Sequence, residues 1–155
     1  MSIGGGNVVL EYSDSTWTTI YECDDYLPQE GDYGAALNVA VLNDTAYITT
    51  MAGLWKYNYL DQSSILIPEN QYNEGQYFHT ESINVQTSTD ILMPSSRYFL
   101  AHWNGESWHY DDTISDLYGF GIVWATAGDL KGNLAVITGY YNPNHQVIIT
   151  RGYRD

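Results

Sequence analysis

The feature that most constrains this chain is a repeat with a period in the mid-forties. "FLAHWNGESW", Phe99 to Trp108, sets a large aromatic on either side of an Asn-Gly turn. "VVLEYSDSTW", Val8 to Trp17, does the same 91 residues earlier. Val8 falls on Phe99, Val9 on Leu100, Tyr12 on Trp103 and Trp17 on Trp108, with Ser13-Asp14-Ser15 over Asn104-Gly105-Glu106. Between them "LWKYNYLDQSSILI", Leu54 to Ile67, reads as a third hairpin. The starts at Val8, Leu54 and Phe99 lie 46 and 45 residues apart, and a further run, Gln146–Thr150, begins about one period later. Units of this size cannot bury an apolar face alone, so they must stack on their neighbours.

Each hairpin is followed by another strand pair: "NVAVLNDTAYITT" (Asn38–Thr50), "SINVQTSTDILM" (Ser82–Met93) and "IVWATAGDLKGNLAVITG" (Ile122–Gly139). Asn-Gly favours a type I′ turn, which needs positive φ at both central residues, so Tyr98–Trp103 and Ser107–Tyr110 are predicted to pair around Asn104-Gly105. No window sustains apolar residues at i, i+3 and i+4, so no long helix is expected. Tyr, Thr, Val, Ile and Trp are abundant, as half-buried pleated surfaces prefer. The chain is therefore expected to be all-β, a propeller-like array of about three four-stranded repeats. Its organisation reads as one domain over residues 1–155, with a hairpin at 8–21 and repeats at about 35–68, 78–110 and 122–150. The acidic loops Asp24–Tyr33, Glu69–Gly75 and Asp111–Gly119 join them. Three repeats cannot close a ring, so completion by oligomerisation follows, with copies of itself or a neighbouring subunit as partners and with the terminal strands Val8–Tyr12 and Gln146–Thr150 at the boundaries. A β-sandwich is the alternative.

The W-N-G-x-x-W hairpin (Trp103, Asn104, Gly105, Trp108), followed by "VWATAGDLKGNLAVITG", resembles the repeats of bacterial β-propeller proteins. It is also similar to the short-repeat fucose-binding lectins, whose subunits carry a few blades and assemble into a ring. Tyr12 and Trp17 match in the first copy. In the middle copy Ile65 stands where the second Trp is expected. The resemblance implies a propeller-like fold, self-assembly and glycan binding.

Charge narrows the partners. The formal net charge is −14, with five Lys and Arg in the chain. That opposes binding to nucleic acid and to anionic membranes, both of which need cations. No apolar run is long enough for membrane insertion as a helix. The opening "MSIGGGNVVLEY" lacks a charged n-region and an apolar h-region, so it does not read as a signal peptide. Cys23 is the single cysteine, which rules out an internal disulfide and reads as a small strand residue. Asn43-Asp44-Thr45 is a formal glycosylation sequon and reads as a plain turn.

Trp17 and Trp108, each just after a turn, are expected to wedge between sheets. The ligand-binding set is expected among Trp55, Tyr57, Arg97, His102, Trp103 and Glu106. An exposed Trp beside polar donors stacks on the C–H face of a pyranose while the donors hold its hydroxyls. Catalytic motifs are sparse. His79, His102, His109 and His145 form no HExxH pattern. There is no G-x-S-x-G elbow, and "IGGGN" is not a phosphate cradle because no helix is expected after it. The acidic pairs Asp24-Asp25 and Asp111-Asp112 read as solvated loop starts, with loose Ca²⁺ binding as the alternative. No cofactor or catalytic residue is assigned. The chain is expected to be a non-enzymatic recognition module that binds glycan through exposed aromatics. The alternatives are a structural component of a virion or phage surface and a glycoside hydrolase-like domain.

Overall fold

The computed structural model describes residues 2–28, 33–68, 80, 82–95, 99–111, 123–141 and 146–153. Among these are fourteen strands and no helix, so the chain is all-β as the pattern predicts. The strands form four small antiparallel sheets in two compact units, Met1–His79 and Thr80–Asp155.

In the first unit β1 (Ser2–Gly5), β2 (Val8–Ser13) and β3 (Thr16–Glu22) make a three-stranded sheet. β4 (Ala36–Leu42), β5 (Thr45–Thr50), β6 (Gly53–Asn58) and β7 (Ser64–Pro68) make a four-stranded one, in chain order. In the second unit β8 (Asn84–Thr87), β9 (Asp90–Ser95), β10 (Phe99–Trp103) and β11 (Trp108–Asp111) repeat the four-stranded arrangement. β12 (Val123–Lys131), β13 (Leu134–Tyr141) and β14 (Gln146–Tyr153) form the last sheet. Every sheet is an open meander of consecutive strands.

Three details differ from the sequence reading. β1 is an added edge strand, pairing Ser2 with Glu11 and Gly5 with Val8. Its glycines have low strand propensity and hide it from pattern analysis. The type I′ geometry sits at Asp14-Ser15, with φ of 49° and 65°, and not at Asn104-Gly105. There Gly105 alone takes positive φ, 98°, within a four-residue tip between the paired Trp103 and Trp108. The Asn104 side chain organises that tip: its Oδ1 accepts the N–H groups of Glu106 (2.9 Å) and Ser107 (2.8 Å). Finally, Tyr57 pairs with Ser64, so Ser64 and not Ile65 holds the place of the second Trp. The two partners stand seven positions apart there, against five in Tyr12–Trp17 and Trp103–Trp108.

Each unit buries its core between its two sheets. In the first, Val9, Tyr21 and Cys23 pack with Ala36, Ala46, Ile48 and Trp55. In the second, Leu92 and Leu100 pack with Ala135, and Pro94 lies where a side chain at Gly128 would stand. β5 and β9 are buried along nearly their whole length on both faces, which explains their continuous apolar or Thr-rich runs.

Candidate functional site

β3 and the segment after it run beside β6 and β7 in the first unit, and a cleft of about 510 Å³ opens there. Its aromatic wall comes from Tyr21, Tyr33 and Trp55, and its polar groups from Glu22, Asp24 and Ser64. Ile20 and Cys23 complete the lining. The aromatic wall is built by strand alternation. Trp55 and Tyr57, two residues apart on β6, share one face, and Tyr21 meets them from the neighbouring sheet. Ring centroids step from Tyr21 to Trp55 (5.2 Å), to Tyr57 (5.6 Å) and to Tyr59 (5.4 Å). Backbone closure fixes the far side. Gly34 has φ +70°, and a Cβ there would meet the Pro28 nitrogen and Tyr26 oxygen at 2.8 Å. The Tyr21 hydroxyl donates to the Gly34 carbonyl.

No Lys or Arg among the described residues lines the cleft. Lys56 follows Trp55 on β6 and so points to the other face, where its Nζ lies 5.5 Å from the centre of the Tyr47 ring. Burial lowers the Lys56 pKa and raises that of Tyr47. The cleft is therefore aromatic and acidic. Its carboxylates can accept hydrogen bonds and its rings offer apolar faces.

The expected ligand residues are divided between the two units, Trp55 and Tyr57 in the first and His102, Trp103 and Glu106 in the second. Trp55 is only 7% exposed, so it is not the open platform the sequence suggested; it contributes an edge to the cleft wall. Tyr57 is half-buried beside it. Arg97 lies outside the described residues. His102 and Trp103 are adjacent on β10 and face opposite ways. His102 Nε2 meets Asp90 Oδ1 at 2.9 Å. Trp103 is buried against Trp108, with centroids 5.2 Å apart. Glu106 is exposed at the tip. The His102 face instead gathers a polar set: His109 pairs across from His102, and its Nε2 lies 2.8 Å from Asn104 Nδ2 and 3.3 Å from Ser107 Oγ.

The packing role expected of Trp17 is also corrected. It is 45% exposed and lies against Tyr12, with centroids 4.9 Å apart. Trp108 is half-buried between Trp103 and Tyr110. Repeat position places both residues just after a turn, but it does not encode how deeply each is buried. Tyr33, Glu22 and Ser64 went unnoticed as site residues because they converge from separate segments. Asp24 was singled out only as a loop acid. Among the described residues no three His, Cys, Asp or Glu side chains come together as a metal-binding group; Asp112, His79 and His145 lie outside them.

No family model matches this sequence. No curated protein matches it either. Solved structures do match. One is the extracellular domain of the putative hybrid two-component system BT3049 from B. thetaiotaomicron, with a TM-score of 0.61 and 14% identity. The alignment covers 96% of this chain and 23% of that one, so the chain spans about a quarter of its length. Another is the computationally designed Ika8 protein, with a TM-score of 0.46 and 13% identity, covering 97% of this chain and 48% of that one. At these identities the first likeness speaks for fold alone.

Proposed function

We propose that the chain is a run of propeller-type blades serving as a non-enzymatic recognition module for neutral glycan, with the cleft beside Trp55 as its binding site. Four consecutive meander sheets, two of them four-stranded, are what a blade array requires. The observation that carries the ligand reading is the cleft itself: Tyr21, Tyr33 and Trp55 share its walls with Glu22 and Asp24. Aromatic rings take the apolar C–H face of a pyranose, and carboxylates accept bonds from its hydroxyls. The absence of a cation among the described lining residues directs the choice to uncharged sugars.

A panel of neutral, amino and acidic oligosaccharides, read by calorimetry, tests this. Binding to neutral sugars is expected, weakened about tenfold or more by Tyr33→Ala and by Asp24→Asn, as for central contact residues. Retention of no neutral sugar, or parental affinity in both variants, overturns the site. Release of reducing ends during the assay would establish a hydrolase in place of a binding module.

A further inference from the structure

The cleft beside Trp55 sets aromatic rings next to carboxylates, and that pairing suits a positive charge as well as a hydroxyl. The order of exposure puts rings deep and acids at the mouth. Tyr21 and Trp55 are 6% and 7% exposed, Tyr33 is half-buried, and Glu22 and Asp24 are exposed. The Tyr21 and Trp55 rings are inclined at 58°, so they form a corner and not a flat wall. The Tyr21 hydroxyl donates to the Gly34 carbonyl, which fixes that ring before a ligand arrives.

Charge favours a cation in this corner. Residues 1–79 contain eleven Asp and Glu and a single Lys, Lys56. Lys56 lies on the other face of β6, over Tyr47. The described lining therefore holds two carboxylates and no Lys, Arg or His. A cleft lined by one sign of charge concentrates the opposite sign. The negative faces of aromatic rings add to that attraction.

The kind of cation follows from what the walls lack. A metal ion needs several converging oxygen or nitrogen ligands, and no three His, Cys, Asp or Glu gather among the described residues. A primary ammonium or a guanidinium must give each N–H an acceptor when it leaves water. The deep wall offers rings and Ile20 instead. A quaternary ammonium has no N–H to satisfy. Its methyl groups are apolar surface over which the positive charge is spread. It can rest against the rings while the acids at the mouth balance its charge.

We propose that this cleft binds quaternary ammonium cations of the choline type, with Tyr21, Tyr33 and Trp55 as the aromatic wall and Glu22 and Asp24 as counter-charges. The glycan reading uses the same carboxylates as hydrogen-bond acceptors. The cation reading uses them as charges, so it adds a second ligand class and does not require that a sugar bind. A volume of about 510 Å³ leaves room for a substituent beyond the methyl groups.

Calorimetric titration of the full chain with choline chloride and with 3,3-dimethyl-1-butanol, the uncharged isostere of choline, tests it. Choline should bind with a Kd of about 1 mM or below, and the alcohol about tenfold or more weakly. Added salt should weaken choline binding and leave the alcohol unchanged. Tyr33→Leu keeps apolar bulk and removes the ring, and Asp24→Asn keeps the shape and removes the charge. Each should weaken choline binding about fivefold or more, with far-ultraviolet circular dichroism like the parent's. Asp14→Asn, which removes a charge at the β2–β3 tip, should bind choline as the parent does. No saturable binding of choline up to about 10 mM overturns the proposal. So does equal affinity for choline and the alcohol, parental affinity in both cleft variants, or an equal loss in Asp14→Asn and Asp24→Asn. The sugar panel is read separately, so a failure of either ligand class is distinguishable from a failure of the other.

Discussion

The β4–β7 and β8–β11 sheets share a backbone plan and fill it differently. Their strand order is the same, and their third strands end alike. Asn58 Oδ1 accepts the Leu60 N–H at 2.8 Å, as Asn104 Oδ1 accepts the Glu106 N–H at 2.9 Å. The Asn58 N–H donates to the Ser63 carbonyl (2.9 Å) and the Asn104 N–H to that of Ser107 (3.3 Å). Aligned on those asparagines, Trp55 meets Ala101, Tyr57 meets Trp103 and Lys56 meets His102. Across the ladder, Ile48 pairs with Trp55 where Met93 pairs with Ala101, and Ala46 pairs with Tyr57 where Ile91 pairs with Trp103. Bulk is redistributed between facing positions while the register is kept. The polar face changes more: Lys56 lies over Tyr47 in one sheet, and His102 bonds Asp90 in the other. The lesson is that the hairpin ladder and the asparagine turn define the repeat, and that each sheet's side chains answer to whatever packs on it.

Trp55→Ala breaks the comparison most severely. It installs the small residue of the β8–β11 sheet without that sheet's larger partners. The expected cost is about 3–5 kcal/mol in urea unfolding, because the large cavity cannot collapse. Trp17→Ala, at an exposed ring, should cost about 1 kcal/mol or less in the monomer. Equal losses at the two positions would contradict the burial difference between them.

Next is the tip of the second hairpin. Gly105 has φ +98°, and a Cβ there would stand 2.6 Å from Thr89 Cγ2. Gly105→Ala should therefore cost about 1–3 kcal/mol, combining backbone strain with the clash. The matching position in the β6–β7 hairpin is Tyr59, so the tips are not interchangeable even though their asparagines are.

Asp90→Asn should lower stability by about 1 kcal/mol through the weakened bond to His102. At the equivalent place Thr45→Asn should fall within about 0.5 kcal/mol of the parent. A double-mutant cycle with His102→Ala should recover a coupling at the first site; zero coupling would mean the pair is incidental.

The smallest expected effect is a pH dependence. Lys56 has its pKa lowered by burial, so the unfolded chain binds that proton more tightly. Stability should rise with pH from the folded pKa up to the ordinary lysine value of 10.5. Tyr47, raised by burial, acts in reverse: it loses stability as pH climbs from 10.0 towards its folded pKa. Lys56→Met should remove the alkaline rise and leave the Tyr47 decline, as seen in urea midpoints across that window. A retained rise would assign it to another group.

Most of the fold was legible because alternation and turn residues repeat along the chain. The four-stranded sheets run from Ala36 to Pro68 and from Asn84 to Asp111. β1 was not legible, since Ile3 alone among its residues has strand character. The candidate site was legible only in part. Trp55 stood out for its size, yet its environment depends on Tyr21 and Tyr33, 34 and 22 positions away in the chain. Nothing local in a sequence encodes that convergence. Likewise, repeat position pairs Trp17 with Trp108, yet Trp17 is 45% exposed and Trp108 half-buried, a difference that repeat position does not encode.

The meander order of the strands bears on how the chain acquires its structure. Among the described residues, each sheet ladder joins strands adjacent in sequence, so loop closure within a sheet is short. Such local pairing favours fast formation for an all-β chain, with hairpins closing in about 1–10 μs. Later steps must bring sheet onto sheet. Slow refolding phases should then respond to substitutions such as Val9→Ala and Leu92→Ala between sheets, and hardly at all to changes at the hairpin tips.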